Sequence, residues 1–298
     1  MAEQEFVLTL PASFDEVARE LTVEAAAWAG LPRVVLIEEP QAAFYAWLNL
    51  HRDDWESLVR PGQTILVCDI GGGTSDLTLI RARAGEAGRV RFHRIAVGEH
   101  LILGGDNLDL ALAKHLEPHF NHGEPLPTRQ WDQLIRSCRR IKETLLGDKA
   151  PERMAVNLSG GGSRLLGGGL QAEVARDEVE ALLIEGFLPR VRMNERPVAR
   201  RSGFQEFGLP FAADAAITRY LAHFLSAHRK QLAEEAAVPP TDTHLRHDPA
   251  RPDVVLFNGG FFHSPALPRG WSMSCRRGST VATPNRRMPR RPSGSRKF

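Results

Sequence analysis

The stretch Cys68-Asp69-Ile70-Gly71-Gly72-Gly73-Thr74-Ser75-Asp76-Leu77-Thr78-Leu79-Ile80 constrains this chain more than any other. Three consecutive glycines let a backbone turn sharply and lie close to a bound group. Successive N–H groups in such a turn form an anion nest. The flanking runs Thr64–Ile70 and Ser75–Ile80 are strand-like, so the segment reads as a β-hairpin with the glycines at its tip. Asp69 and Asp76 flank that tip. Carboxylates repel phosphate, so their useful role beside a nest is to hold a hydrated Mg²⁺ that the phosphates share. Thr74 adds a hydroxyl for a phosphate oxygen or a water of the metal. A Walker loop needs a lysine after its glycines, and none follows. A Rossmann fingerprint opens a helix, whereas Ser75–Ile80 alternates like a strand. A plain turn without ligand would require neither aspartate.

Strand and helix patterns alternate around this hairpin, which predicts α/β layers. Phe6–Leu10 reads as a strand ended by Pro11. Ser13 and Glu16 form a capping-box pair, and Phe14, Val17, Leu21 and Trp28 follow at helical spacing to Gly30. Val34–Ile37 is a short strand, and Pro40 suits the first turn of a helix continuing through Ala42–Leu50. Val90–Val97 supplies a strand. Asp106–Phe120 and a segment from Trp131 to Leu145 are helical. Met154–Leu158 and Gly169–Val174 read as strands, with the glycine clusters 160–162 and 167–169 as turns between them. Asp177 caps a helix, Ala213–Ala236 reads as one long helix, residues 239–252 as a polar loop, and Val254–Phe257 as the last strand.

The 298 residues suffice for one large domain or two lobes. The net charge of +2 conceals an asymmetry. From Arg269 onward there are eight arginines, one lysine and no acid, leaving 29 basic against 36 acidic residues in 1–268. That basic tail lacks any period and any aromatic interleaving, so it is expected to be disordered and not to bind nucleic acid. No apolar run approaches the roughly 20 residues that cross a bilayer, and the acidic start Met1–Glu5 is not a signal peptide. Cys68, Cys138 and Cys275 form no disulfide framework or metal pair, which points to a reducing cytoplasm and no membrane.

Five further segments, in order, give the chain its resemblance. FVLTLPASFDEVARELTVEAAAWAGL (Phe6–Leu31), VVLIEEPQAAF (Val34–Phe44), LGGDNLDLALAKHL (Leu103–Leu116), RSCRRIKETLLG (Arg136–Gly147) and VVLFNGGFFHSPAL (Val254–Leu267) stand around DIGGGTSD. Together they resemble the nucleotide-binding (ATPase) domain of the DnaK-type 70-kDa heat-shock chaperones, as a divergent bacterial-type member. The resemblance implies an actin-like ATPase (ribonuclease H-like) α/β fold with one lobe nearly complete and the first lobe truncated. It implies residues 1–60 as the end of the first lobe, 61–268 as the second lobe with the phosphate hairpin and an adenosine turn, and 269–298 as the basic tail.

The resemblance also implies ATP or ADP with Mg²⁺ as ligands. Asp69 and Asp76 would hold the metal's shell, and Gly71, Gly72, Gly73 and Thr74 would meet the phosphates. Glu39, with Asp69 and Thr74, would serve hydrolysis by orienting water or the metal's shell. Gly104, Gly105 and Asp106 would approach the phosphates at a helix N-terminus. Lys142 would reach the ribose, Gly259 and Gly260 would underlie the adenosine, and Pro11 with Arg19 would form a switch relaying nucleotide state. Read alone, Glu39 is also a favourable first-turn charge, and Arg19 and Lys142 are ordinary surface residues. Arg139 and Glu143 reverse the family's charges, and Phe261, Phe262 and His263 replace its small polar residues. The family's first phosphate loop, D-[LI]-G-T-[TS], and the lysine that follows it are missing. The function implied is an ATP-binding piece of a chaperone, weak or inactive in hydrolysis alone. Unfolded polypeptide and co-chaperones would be met only by the full-length parent. A bacterial actin-like filament-forming ATPase is the alternative, since it too combines EEP-x-AA with DIGGGT.

Overall fold

Apart from Asp69, Thr64–Ile70 (β3) is a run of β-branched and apolar residues with no exposed position, which is the signature of a strand covered on both faces. A computed structural model describes residues 4–12, 14–31, 33–86, 90–120, 124–159, 170–198, 212–235, 248–268 and 280–282. In it β3 lies at the centre of a five-stranded sheet. Ser75–Ala84 (β4) pairs antiparallel with one edge of β3, and Val90–Val97 (β5) pairs antiparallel with β4. Val254–Asn258 (β8) runs parallel to β3 on the other side, and Thr280–Ala282 (β9) runs parallel to β8. The order is therefore β5-β4-β3-β8-β9.

The period of two along a strand sends alternate residues to opposite faces. Leu66, Cys68 and Ile70 join Leu77, Leu79, Val255 and Phe257 in one core. Ile65 and Val67 join Ile80, Ala82, Val254 and Leu256 in another. Helices cover both. The first face carries Gly105–Leu116 (α4) and Thr128–Leu145 (α5), which bury Leu108, Leu112 and Leu116, and Leu134, Cys138, Ile141 and Leu145. The second carries Glu39–Leu50 (α2), whose Phe44 and Trp47 pack beside Val59. Phe44 meets Phe92 of β5 edge-on, with ring centroids 4.7 Å apart. Residues on both sides of position 60 thus share one core.

Ahead of α2, Phe6–Leu10 (β1) and Val34–Glu38 (β2) pair in parallel, joined by the helix Glu16–Trp28 (α1). A one-turn helix, Trp55–Leu58 (α3), precedes β3. Arg153–Leu158 (β6) and Leu170–Ala175 (β7) form an antiparallel pair followed by Arg176–Glu180 (α6), which continues as a wider turn through Ala181–Glu185. Two helices, Ile217–Ala227 (α7) and Arg229–Glu235 (α8), precede β8.

Several expectations change. Asp15 caps α1, its Oδ1 accepting from the Ala18 N–H at 2.9 Å, while Ser13 lies outside the described residues. The long helix expected over 213–236 starts only at Ile217 and breaks at His228. Asp214 accepts from Ala216 N and Val198 N and holds the chain out of the helix until then. The basic tail, expected to be structureless, supplies β9 from Thr280-Val281-Ala282, a β-prone triplet within it. Its other residues, Cys275 among them, and the glycine clusters at 160–162 and 167–169 lie outside the described residues. Cys68 and Cys138 are buried and not joined in a disulfide. Burial, aided by the Asp109 carboxylate, pushes the Cys138 thiol up to about 12. Among the described residues, no helix is long and apolar enough to cross a membrane.

Candidate functional site: the cleft beneath the glycine tip

The β3–β4 hairpin puts Asp69 and Asp76 directly opposite each other in register, one pair below the tip. The tip closes on one bond, from Gly71 N to Thr74 O at 2.9 Å. Among the described residues the N–H groups of Gly72, Gly73 and Thr74 donate no hydrogen bond, and Gly72 and Gly73 are exposed. A Cβ at Gly73 would meet no protein atom within 4 Å, so the tip faces open space there. Three consecutive free donors are what an anion nest requires.

Below the tip is an open cleft of about 480 Å³ lined by Thr9, Glu39, Asp69, Gly71, Thr74, Asp76 and Asn258, with the small side chains of Ala42, Ala43 and Ala46 along one wall. Glu39 enters from the first turn of α2, where Pro40 fixes the helix start. The cleft is acidic. Burial holds the Asp69 carboxyl above its ordinary value, with Asp76 adding to the rise and the Asn258 amide opposing it. Burial likewise raises Glu39, and then the charges of Asp69 and Asp76, while His100 works the other way. Clustered acids held above their usual range are a donor set that a divalent cation relieves. Among the described residues, no three His, Cys, Asp or Glu side chains converge tightly enough to ligate an ion directly. The carboxylates of Glu39, Asp69 and Asp76 around this open cleft are a donor set that fits a Mg²⁺ held through its waters.

Two residues escaped the sequence reading. Asn258 Nδ2 donates to Asp69 Oδ2 at 3.0 Å. His100 Nδ1 lies 3.0 Å from Asp76 Oδ1, and since a carboxylate only accepts, Nδ1 carries the proton. Ser75 and Leu101 exchange backbone bonds of 2.9 and 3.1 Å, and Ser75 Oγ donates to Leu103 O at 2.6 Å. These bonds strap residues 100–103 along β4 and bring His100 to Asp76. Asn258 is the register partner of Asp69 across the parallel β3–β8 ladder. Neither approach leaves a mark in linear spacing.

The remaining expected residues sit behind or beside the cleft. Gly104 and Gly105 pack directly against the tip, where a Cβ at Gly104 would stand 2.6 Å from Gly72 O. The α4 N-terminus was expected to present its donors to phosphate, but they are spent on protein. Gly105 N donates to Gly71 O at 3.0 Å, Asp106 N to Gly72 O at 2.7 Å, and Gly104 N to Asn107 Oδ1 at 2.8 Å. Asp106 pairs through its carboxylate with Arg139. Lys142 was expected at a ribose. It is buried instead, its Nζ 2.6 Å from Asp109 Oδ1 and donating to Gly105 O at 2.8 Å, so it fastens α5 to α4. Gly259 has φ of +90°, and a Cβ there would lie 2.1 Å from Ile70 O, so only glycine lets β8 turn away beside the hairpin. Gly260 opens the short turn to His263, in which Phe261 is buried and Phe262 packs on Phe257. Pro11 and Arg19 are linked through Phe14, whose N–H donates to Pro11 O and whose carbonyl accepts from Arg19 Nε. Arg19 also pairs with Glu38 at 3.0 Å, and the other oxygen of Glu38 takes Arg94 of β5.

A family model described as Hsp70 protein matches residues 3–198. The chain is 35% identical over 139 residues to a chaperone protein HscA homolog of Acinetobacter baylyi, covering 47% of this chain and 21% of that protein. It is 32% identical over 151 residues to a chaperone protein HscA homolog of Shewanella frigidimarina, covering 50% and 22%. The chain thus spans about a fifth of the length of these curated relatives. Nothing in these similarities favours a filament protein.

Proposed function

Because this chain belongs to the Hsp70 protein family, and so has the actin-like ATPase fold, we propose that it is the ATP-binding piece of a heat-shock-type chaperone and that Mg²⁺–ATP or Mg²⁺–ADP binds in the cleft beneath the glycine tip. The observation that carries this is the meeting of Glu39, Asp69, Thr74 and Asp76 in one cleft under three free backbone donors. Gly72, Gly73 and Thr74 would donate to phosphate oxygens. Asp69 and Asp76 would accept from the metal's waters, and Glu39 would orient a water toward the terminal phosphate. When bound, Mg²⁺ would neutralise charge on the phosphate oxygens. Gly104 and Gly105 would set the height of the tip, and Gly259 and Gly260 would lie beside the base. Pro11 and Arg19 would pass the state of the cleft to α1. Residues 1–60 would contribute to a first lobe and 61–268 form the second. Clients, co-chaperones and a cytoplasmic setting belong to the full-length parent.

Phosphoryl transfer needs charge stabilisation on both sides of the phosphates. The 298 residues contain no D-[LI]-G-T-[TS] loop. The chain alone should therefore bind Mg²⁺–ATP weakly and release little phosphate. A thermal melt with and without millimolar Mg²⁺–ATP, run beside a phosphate-release assay and Asp69→Ala, tests this. A ligand near its Kd adds only about 0.4 kcal/mol to stability, so a small shift lost in Asp69→Ala is expected. A shift of several degrees with steady release would show a working ATPase in this piece alone. No binding at all, with Asp69→Ala identical to the parent, would overturn the site.

A further inference from the structure

The two acids of the hairpin are each gripped from outside the hairpin, on one oxygen only. Asn258, at the end of β8, takes Asp69 Oδ2, and His100, on the strap along β4, takes Asp76 Oδ1. Among the described residues Asp69 Oδ1 and Asp76 Oδ2 have no hydrogen-bond partner, and both side chains line the cleft. A carboxylate with one oxygen tied to a fixed donor loses its freedom about χ2, so its second oxygen points one way. Both donors are themselves held. Asn258 is fixed by the β3–β8 register and by the glycine-only turn at Gly259, and His100 by the Ser75–Leu101 bonds.

We propose that Asn258 and His100 are a pair of positioning residues that aim the free oxygens of Asp69 and Asp76 at a common hydrated divalent cation. Neither touches the cation. Each acts through the acid it grips, as partners outside a metal's immediate ligands commonly do. The inference rests on the proposed nucleotide site and adds to it two residues from separate parts of the chain.

The test separates the cation's contribution from that of the nucleotide. ADP is titrated in excess Mg²⁺ and again in EDTA, following the amide resonances of Gly72 and Gly73, and the ratio of the two Kd values is the gain due to Mg²⁺. His100→Leu should cut that gain by about ten-fold while leaving the Kd in EDTA unchanged, and Asn258→Leu, within the cleft lining, should cut the gain as well. His100→Asn, which keeps a donor near the place of Nδ1, should restore it. A role in folding alone would weaken both Kd values together and would not be rescued by asparagine. Should the end of β8 not tolerate Asn258→Leu, the partly exposed His100 series still decides. Full retention of the Mg²⁺ gain in the leucine variants, with its loss in Asp69→Ala, overturns the positioning role and leaves the site standing. Absence of any Mg²⁺ gain in the parent overturns the site itself.

Discussion

At the scale of single residues, the cleft holds charge at a cost to the fold. Asp69 binds its proton more tightly in the folded chain than in the unfolded one, because burial disfavours the ionised form. Between its ordinary pKa and the raised one, the folded chain holds more protons, so stability falls as pH rises through that window and the penalty persists above it. Asp69→Asn keeps an acceptor for Asn258 and removes the charge. It should melt above the parent at pH 7, and the two curves should converge as the pH falls well below the ordinary aspartate value of about 3.9, where the carboxyl is protonated in the folded and the unfolded chain. Equal melting temperatures at pH 7 would show that the charge is already relieved. Asp69, Asp76 and Thr74 were legible in sequence because no turn requires two acids around three glycines. Asn258 and His100 were not. One reaches its acid across a parallel ladder spanning 189 residues and the other through a strap, and no local pattern encodes either.

At the scale of elements, packing decides what propensity leaves open. The hairpin, α1, α4 and α5 were readable because their apolar periods are clean. The late start of α7 was not, because Asp214 takes the Ala216 N–H while it also accepts from the distant Val198 N–H. Lys142 shows the same limit. Its helical position was visible, but its neighbour depends on how α4 packs against α5. The α2 helix packs against both the β1–β2 pair and the main sheet. Its Phe44 is 3% exposed and touches both Trp47 and Phe92. Phe44→Ala should cost about 3–5 kcal/mol in urea unfolding. A loss below about 1 kcal/mol would mean that the second core is not continuous from α2 to β3.

For the whole molecule, the two sides of the sheet are covered but the β1–β2 pair is not. Val7 and Val35 remain exposed on it, and α1 turns Val17, Leu21 and Trp28 outward, the last 82% exposed. An uncovered strand edge beside an apolar helix stripe favours association. Sedimentation velocity should show assembly that grows with concentration, and Leu21→Glu with Trp28→Lys should reduce it. Unchanged assembly in that double variant would place the contact elsewhere. The fastening of α4 to the glycine tip reaches further than the cleft. Because Gly105 and Asp106 donate to the carbonyls of Gly71 and Gly72, the tip offers amides to two different clocks. The protons of Gly72 and Gly73 should trade with solvent almost as fast as in an unfolded peptide, while those of Gly105 and Asp106 wait for α4 to come loose. An anion seated on the tip would slow the first clock and leave the second running, so hydrogen exchange at four neighbouring amides distinguishes a tip that has caught a ligand from a lobe that has merely stiffened.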